Sequence, residues 1–161
     1  MTTGGLVGSV QTQASISDSE FQGSLYGADS MGGLVGWINA TTLTINHCLN
    51  SGEIHVEAMY DTTDQAHEVG GLVGTAMTAT LTITDSLNVG KIELASGIPA
   101  SYAGNLVGRV NWKSTAILTN VFGKKQSDDD VDVRYTYKNN VTRNNCELLQ
   151  DISNKLEEFY K

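Results

Sequence analysis

The string Gly32-Gly33-Leu34-Val35-Gly36 decides the fold, because the same five letters return along the chain. They occur again at residues 4–8 and 70–74, and a variant with asparagine at the second position occurs at residues 104–108. Four copies in 161 residues indicate an internal repeat rather than four unrelated loops. The repeat therefore has to be interpreted before any local secondary structure.

Two further elements follow the string. An Ile-x-Asn/Asp pattern that ends at a glycine covers residues 45–52 and 83–90, and a weaker form covers residues 16–23 and 117–123. A third run, such as residues 53–57, alternates apolar and polar side chains. Each copy thus contains three short runs with apolar residues at every second position, which is the pattern of β-strands bounded by glycine and polar turns.

A unit of three short strands with one apolar face cannot bury that face alone and must stack on its neighbours. The repeat thus predicts an all-β fold, a right-handed parallel β-solenoid of about four coils, with leucine stacked on leucine and isoleucine on isoleucine. Each aliphatic side chain in such a column stabilises the fold by about 1.5–3 kcal/mol. The alternative is a β-trefoil, which parallel rather than antiparallel ladders would exclude.

The same pattern divides the chain into domains. One repeat domain, residues 1–137, contains four copies, at residues 4–31, 32–69, 70–103 and 104–137. Residues 138–161 are predicted to form an amphipathic helical cap, because apolar residues between Cys146 and Phe159 recur at helical spacing after an asparagine-rich start. The spacing of the copies exceeds a minimal coil, so two segments are expected to loop out from one corner, residues 57–69 and 95–103.

Strand alternation also assigns the faces of the first run. Leu34 and Ile38 are expected to point into the core. Two sets of repeat positions are expected on the mostly solvated face, namely Ser9, Trp37, Thr75 and Arg109, and the repeated valine at Val7, Val35, Val73 and Val107. Alternation alone does not explain an apolar column on that face.

Charge and composition exclude several classes of function. The net charge is −8, and the one basic pair, Lys124 and Lys125, is followed closely by three aspartates, so no basic face for nucleic acid is present. The sequence has no run of about 18 apolar residues and no charged start before an apolar stretch, so neither membrane insertion nor an export signal is predicted within it. It opens almost at once on a repeat, and we therefore expect it to be a piece of a longer protein.

His47 is the first candidate for chemistry, because it occupies the repeat position that Asp18 and Asp85 hold in the flanking copies. Stacked coils would bring the three into one column, which could serve as the acid/base site of a β-helix carbohydrate enzyme. The same position is also a turn in which a polar side chain satisfies backbone groups, and we favour that interpretation.

The weaker candidates are interpreted as ordinary structural features. The aspartates at residues 128–130 lack the spaced ligands of a calcium loop and predict a solvated acidic turn. Thr-x-Thr strings resemble the arrays of ice-binding solenoids but occupy only two copies, at residues 42–44 and 80–84. The remaining candidates are interpreted as surface or packing residues: His55 beside Glu93 of the next copy, His67, Trp37, Trp112 and Tyr60.

The two cysteines, Cys48 and Cys146, lie almost a hundred residues apart without the spacing of a zinc site. A disulfide between the two cysteines is one alternative, and two free, mostly buried thiols are the simpler interpretation. No nucleophile elbow, phosphate loop or zinc helix motif is present in the sequence. We therefore assign no catalytic, cofactor-binding or metal-binding residue.

Gly-Gly-Leu-Val-Gly followed by Ile-x-Asn/Asp-Cys/Ser-Leu-Asn-x-Gly-x-Ile resembles the GLUG repeat, named for its Gly-Leu-x-Gly core. Residues 32–56 and 70–94 carry the resemblance best, including Cys48, Asn50 and Asn88, and it covers roughly residues 4–123. It implies a large secreted or surface protein of bacteria, such as adhesin-like chains and immunoglobulin A proteases, in which these repeats are accessory and the catalytic domain lies elsewhere.

Together these observations predict a non-catalytic extracellular module, a spacer or adhesion segment of a larger cell-surface or secreted protein. A partner, either a host or cell-surface protein or a glycan, is expected at loops 57–69 and 95–103, and no nucleic acid and no cofactor is expected. The alternative is a fragment of a carbohydrate-active β-helix enzyme, in which acidic side chains would converge in one groove within about 5–10 Å of one another.

Overall fold

The chain folds into a parallel β-solenoid. The structure is a computed structural model that describes residues 2–39, 42–58 and 68–161. Every strand pairing among these residues is parallel and joins a strand to its counterpart in the next coil. The predicted parallel β-solenoid is thereby confirmed, and the β-trefoil alternative is wrong.

The strands follow the chain coil by coil. The first coil contains β1 (Thr2–Gly4), β2 (Val7–Val10), β3 (Ala14–Ser17), β4 (Glu20–Phe21) and β5 (Ser24–Ala28). The second contains β6 (Ser30–Gly32), β7 (Val35–Ile38), β8 (Thr42–Asn46), β9 (Leu49–Asn50) and β10 (Glu53–Ala58). The third contains β11 (Val69–Gly70), β12 (Val73–Ala76), β13 (Thr80–Thr84), β14 (Leu87–Asn88) and β15 (Lys91–Leu94).

The later coils are incomplete. A 3₁₀ turn (Ala100–Tyr102) leads into the fourth, which contains β16 (Ala103–Gly104), β17 (Val107–Val110), β18 (Thr115–Thr119) and β19 (Phe122–Lys124). The fifth contains β20 (Val133–Tyr135), β21 (Val141–Asn144) and β22 (Glu147–Leu149), and the helix α1 (Ser153–Phe159) follows it. Complete coils thus have five short strands rather than the three predicted runs, because the Gly-Gly bend and the turns around the Leu-Asn pair divide each repeat further.

Five sheets run along the solenoid, and we number them by the position of their strands in a coil. The first sheet has the order β1-β6-β11-β16, the second β2-β7-β12-β17-β20, and the third β21-β18-β13-β8-β3. The fourth sheet has the order β22-β19-β14-β9-β4, and the fifth has the order β15-β10-β5. Loops 57–69 and 95–103 both connect the fifth sheet to the first, so the prediction that they leave from one corner is confirmed.

Identical residues stack in register through the core. Leu43 pairs with Leu81 and Ile45 with Ile83 in the third sheet, and all four side chains are fully buried. At about 1.5–3 kcal/mol for each buried aliphatic side chain, these columns are a main source of stability. The predicted stacking of leucine on leucine and isoleucine on isoleucine is confirmed.

The repeated valine points inward, contrary to the prediction from alternation. Val35, Val73 and Val107 are fully buried, and so are the leucines that precede them. The leucine lies in the bend before the strand, where its carbonyl accepts hydrogen bonds from two consecutive N–H groups of the preceding coil. Because the strand begins only at the valine, alternation does not apply across the bend, and both side chains reach the core.

The column that follows the valine is also less solvated than predicted. Thr75 is fully buried, and its hydroxyl accepts hydrogen bonds from the backbone N–H of Glu68 and the hydroxyl of Ser30, both at 3.3 Å. Trp37 and Arg109 are partly buried. The strands before the Gly-Gly bend therefore fold back over this column and cover it.

Glycine is required at the bend because other groups approach its backbone closely. A Cβ at Gly71 would collide with the carbonyl of Asn105 and the side-chain amide of Asn88. Asn88 belongs to a buried ladder, in which Asn50 Nδ2 donates to Asn88 Oδ1 at 2.9 Å and Asn88 Nδ2 donates to the Asn105 carbonyl at 2.7 Å. The glycines and the asparagine ladder are thus parts of one packing arrangement.

The predicted C-terminal helix is present, but it is shorter than the predicted cap at residues 138–161. Residues 141–149 form β21 and β22 of a fifth coil, and α1 begins only at Ser153. The helix lies along the outer side of the fourth sheet, where Leu156 and Phe159 pack near Leu87 and Phe122, and Tyr160 reaches Glu20 of the first coil. Within the described part of the chain, no helix has the length and apolar character needed to cross a bilayer.

Candidate functional site

The predicted column of Asp18, His47 and Asp85 exists, and it is longer than predicted. Asn120 and Asn145 continue it into the fourth and fifth coils, in the turn between the third and fourth sheets. All five residues have a left-handed backbone, with φ between 48° and 56°. Asparagine and aspartate tolerate this conformation better than most residues, so the turn itself explains the residue types. We call these five residues the polar column.

Side-chain hydrogen bonds connect members of the polar column. His47 Nδ1 lies 2.9 Å from Asp18 Oδ1. Asn120 Nδ2 donates to Asp85 Oδ1 at 2.9 Å, and Asn145 Nδ2 donates to Asn120 Oδ1 at 2.8 Å. Most of the polar groups are therefore engaged by neighbours one coil away, as a structural ladder requires.

His47 also joins the column to the C-terminal helix. Its Nε2 lies 3.0 Å from the carbonyl oxygen of Phe159, and its ring stacks on the Phe159 ring with centroids 4.3 Å apart. The hydrogen bond to Asp18, and after it the bond to the Phe159 carbonyl, raises the pKa of His47 above its usual value. The site therefore favours a protonated imidazole.

A groove of about 260 Å³ lies between the polar column and the helix. It is lined by His47, Asp85, Leu87, Asn120, Phe122, Asn145, Lys155, Glu158 and Phe159. The side chains of the column are stacked from coil to coil, with about 4.7–4.9 Å between neighbouring strands. Asp18 and Asp85 are two coils apart with His47 between them, so they do not face each other across a space for a sugar and a water.

The acidic turn at residues 128–130 uses one of its carboxylates to hold its own backbone. Asp130 accepts hydrogen bonds from the N–H of Gln126 at 2.7 Å and the hydroxyl of Ser127 at 2.9 Å. Among the residues that the structure describes, no three His, Cys, Asp or Glu side chains are arranged to hold a metal ion. The turn is thus explained by its internal bonds.

The remaining histidine and aromatic candidates lie apart from this site. His55 contacts Glu93 of the next coil at 2.9 Å, as predicted, and stacks on the ring of Tyr26. Trp112 is exposed and lies beside Lys113, whereas Trp37 is partly buried. His67, Tyr60 and most of loop 57–69 lie outside the described residues.

The threonine strings extend further than the sequence suggested. Strand register brings hydroxyl residues of all five coils onto the outer face of the third sheet, namely Ser15, Ser17, Thr42, Thr44, Thr80, Thr82, Thr84, Thr115, Thr119 and Thr142. Asn46, Ile117 and Asn144 occupy positions in the same array. The hydroxyl array is therefore interrupted, and it does not form the continuous lattice of an ice-binding face.

Cys48 and Cys146 occupy the same position in different coils. Each thiol donates to the carbonyl two residues earlier, as the hydroxyls of Ser19 and Ser86 also do. Three coils separate the cysteines, which is about 14 Å at the usual strand spacing and well beyond the Cα separation of a disulfide, about 4.4–6.8 Å. Both are free thiols, and burial raises the pKa of each.

Sequence reasoning missed one buried ionisable group, Glu68. The residue is fully buried, and neither carboxyl oxygen has a hydrogen-bond partner. Burial raises its pKa to about 8, although the charges of Arg109 and Arg134 act in the opposite direction. The only signal in the sequence was its place directly before the strand that leads into Gly70-Gly71, a position held by Ser30 in the second coil.

Comparisons with protein-family models, with curated proteins and with solved structures find no match to this chain.

Proposed function

We propose that this chain is a non-catalytic repeat module that acts as a spacer or adhesion segment of a larger extracellular or cell-surface protein. The main support for this proposal is the in-register stacking of complete coils, because each coil is hydrogen-bonded to the next and the stack forms a rod. A rod of this kind holds attached domains or loops at a fixed distance. The GLUG-like repeats support the extracellular setting, since the resemblance implies secreted or surface proteins of bacteria.

The polar column supports a structural rather than a catalytic role. Its left-handed backbone explains the presence of Asp and Asn, and its side chains are bonded to one another. A glycoside hydrolase needs two carboxyl groups that flank the scissile bond from opposite sides. Asp18 and Asp85 instead occupy the same turn position in the first and third coils, so they lie in one column on the same side of the solenoid.

The corner that carries loop 95–103 is the proposed binding region. A groove of about 300 Å³ lies there, with Ile92, Leu94 and Ala103 on its apolar side and Lys91 and Arg134 on its charged side. Loops at the edge of a rigid scaffold are common binding sites. The mixture of apolar and charged groups suits a protein or glycan of a cell surface.

The outer edge of the fifth sheet forms part of this corner. No strand pairs with that edge of β15 among the described residues, and the side-chain amide of Gln126 bonds to it instead. Gln126 Oε1 accepts from the N–H of Ile92 at 3.2 Å, and Gln126 Nε2 donates to the carbonyl of Gly90 at 2.7 Å. The corner therefore presents a strand edge next to a charged groove.

The proposal is tested by assaying the purified chain for hydrolysis and for binding to polysaccharides, peptides and cell surfaces. We expect no hydrolysis and measurable binding, which Ser101→Arg at the corner weakens. Thr78→Arg is the matched control. Thr78 is also exposed, but it lies at the start of the third sheet, away from the groove at the corner. Hydrolysis that Asp85→Asn or His47→Asn abolishes would overturn the proposal and favour the carbohydrate-active enzyme.

A further inference from the structure

The C-terminal segment, residues 152–161, is attached to the solenoid in two ways, and we call it the C-terminal strap. Ile152, Leu156 and Phe159 pack against an apolar stripe on the fourth sheet, formed by Leu49, Leu87 and Phe122. Polar bonds hold the far end, where Phe159 contacts His47 and Tyr160 contacts Glu20.

We propose that His47 is a pH-dependent latch that holds the C-terminal strap over the apolar stripe and releases it when the imidazole loses its proton. This inference does not depend on the function proposed above. It rests on the hydrogen-bond geometry of one side chain and on the position of the strap.

The geometry around His47 requires two donated hydrogen bonds. Nδ1 lies 2.9 Å from a carboxylate oxygen of Asp18, and Nε2 lies 3.0 Å from the backbone carbonyl of Phe159. An ionised carboxylate and a carbonyl can only accept. Both ring nitrogens must therefore carry a proton, so the closed arrangement contains the imidazolium form.

Loss of one proton breaks this arrangement whichever nitrogen is affected. A neutral imidazole has one donor and one lone pair, so a lone pair would face either Asp18 or the Phe159 carbonyl. If the remaining proton stays on the side of Asp18, the strap loses its bond to the column. If it stays on the other side, Asp18 and the ring repel each other.

The charges around His47 favour its protonated form from both sides. Asp18 and Asp85 of the neighbouring coils add favourable interactions with the cation, which agrees with the raised pKa of the histidine. On the strap, Lys155 pairs with Glu158 at 3.0 Å, so its positive charge is largely compensated. The titratable and charged groups that face His47 or the adjoining end of the strap are Asp18, Glu20, Asp85, Lys155, Glu158, Tyr160 and Lys161.

The strap has little independent stability once it detaches. Its helix has seven residues, whereas isolated helices shorter than about 12–15 residues are marginal in water. The Asp151 carboxylate accepts the N–H of Ser153 at the start of the helix, but none of the helical residues is fully buried. Release at one end therefore promotes unfolding of the whole strap and exposes the apolar stripe.

The test is hydrogen exchange of the unaltered chain, measured across residues 152–161 from about pH 5.5 to about pH 9 and corrected for the intrinsic exchange rate. We expect protection of the strap to fall by about tenfold or more as the pH rises above the ordinary histidine value of ~6.5, while strand β8 stays protected. A dye that binds exposed apolar surface should become fluorescent over the same range. Protection of the strap that does not change with pH would overturn the proposal.

Two variants separate the latch from a general effect of pH. His47→Asn removes the titration, and asparagine accepts the left-handed backbone found there. We expect its strap to exchange rapidly at every pH, whereas His55→Asn on the fifth sheet should behave like the unaltered chain. A His47→Asn variant with the original pH profile would refute the latch.

A measurement on the unaltered chain covers the case in which His47→Asn fails to fold. Nuclear magnetic resonance can follow the His47 ring and the Phe159 ring in one pH titration. We expect both signals to change with the same midpoint, above ~6.5, because the two rings are stacked. Different midpoints, or a His47 midpoint at or below ~6.5, would overturn the proposal.

Discussion

The buried carboxyl of Glu68 makes the stability of this protein depend on pH in a predictable way. Its side chain is fully buried and unpartnered, and its pKa is raised from an ordinary value of 4.5 to about 8. Below pH 4.5 the carboxyl is protonated in both the folded and the unfolded chain. Between about pH 4.5 and about 8 the unfolded chain releases the proton while the folded chain keeps it, so stability falls as the pH rises.

The magnitude follows from that window. Each pH unit within it lowers the free energy of unfolding by about 1.4 kcal/mol, which amounts to about 5 kcal/mol between pH 4.5 and pH 8. Movement of the ionised carboxylate toward Arg109 or toward water would reduce the loss, so we expect about 3–5 kcal/mol. Against a typical total stability of about 5–15 kcal/mol, this is a large fraction.

Glu68→Gln keeps the size of the side chain and removes the titration. Urea unfolding followed by circular dichroism at several pH values gives the difference in free energy between this variant and the unaltered chain. We expect that difference to grow in favour of the variant from pH 5 to pH 8 with a slope of about 1.4 kcal/mol per pH unit, and then to level off. The contribution of His47 to the pH dependence cancels from this difference, because His47 is present in both proteins and lies at a separate site.

Glu157→Gln is the matched control, since Glu157 is an exposed glutamate on the C-terminal helix. We expect its difference from the unaltered chain to stay within about 0.5 kcal/mol at every pH. If Glu68→Gln gave an equally flat difference from pH 5 to pH 9, the carboxyl would be ionised in the folded chain. Burial would then not keep this carboxyl protonated at neutral pH.

Two further substitutions test the core. Asn88→Ala should lower the free energy of unfolding by about 1–3 kcal/mol in urea unfolding, because it leaves one N–H of the buried Asn50 amide without its acceptor and removes the bonds of Asn88 to the Gly90 N–H and the Asn105 carbonyl. Gln150→Ala, at an exposed site, is its control, and equal losses would contradict the importance of the ladder. Leu118→Ala should lower the midpoint of thermal unfolding far more than Ile117→Ala, because Leu118 is fully buried and its neighbour faces solvent. The expected losses in the free energy of unfolding are about 2–5 kcal/mol for Leu118→Ala and at most about 1 kcal/mol for Ile117→Ala. Similar losses at both positions would contradict the assigned faces of β18.

The C-terminal segment shows how a true pattern can be misassigned. Apolar residues from Cys146 to Phe159 fit a helical period, yet the first part of this run forms β22 and only the last part forms α1. Asn144-Asn145-Cys146 repeats the pattern of Asn46-His47-Cys48, and the repeat was the better guide. Short apolar runs fit both periods, so periodicity alone could not separate strand from helix.

The polar column was predictable in part. Asp18, His47 and Asp85 align in the sequence because they follow the same isoleucine in each copy. Their contact with the C-terminal helix was not predictable, since Phe159 belongs to no repeat and lies more than a hundred residues from His47. Only the three-dimensional path of the last residues brings the two together.

The sequence by itself determined the stacking. Gly-Gly-Leu-Val-Gly and the alternating runs recur at matched positions, and a repeated strand with one apolar face can bury that face only against its own copies. The tertiary structure alone decided the inward direction of the valines, the burial of Glu68 and the place of the helix along the fourth sheet. These features depend on how bends and loops bring distant residues together, and neither local propensity nor the repeat encodes those distances.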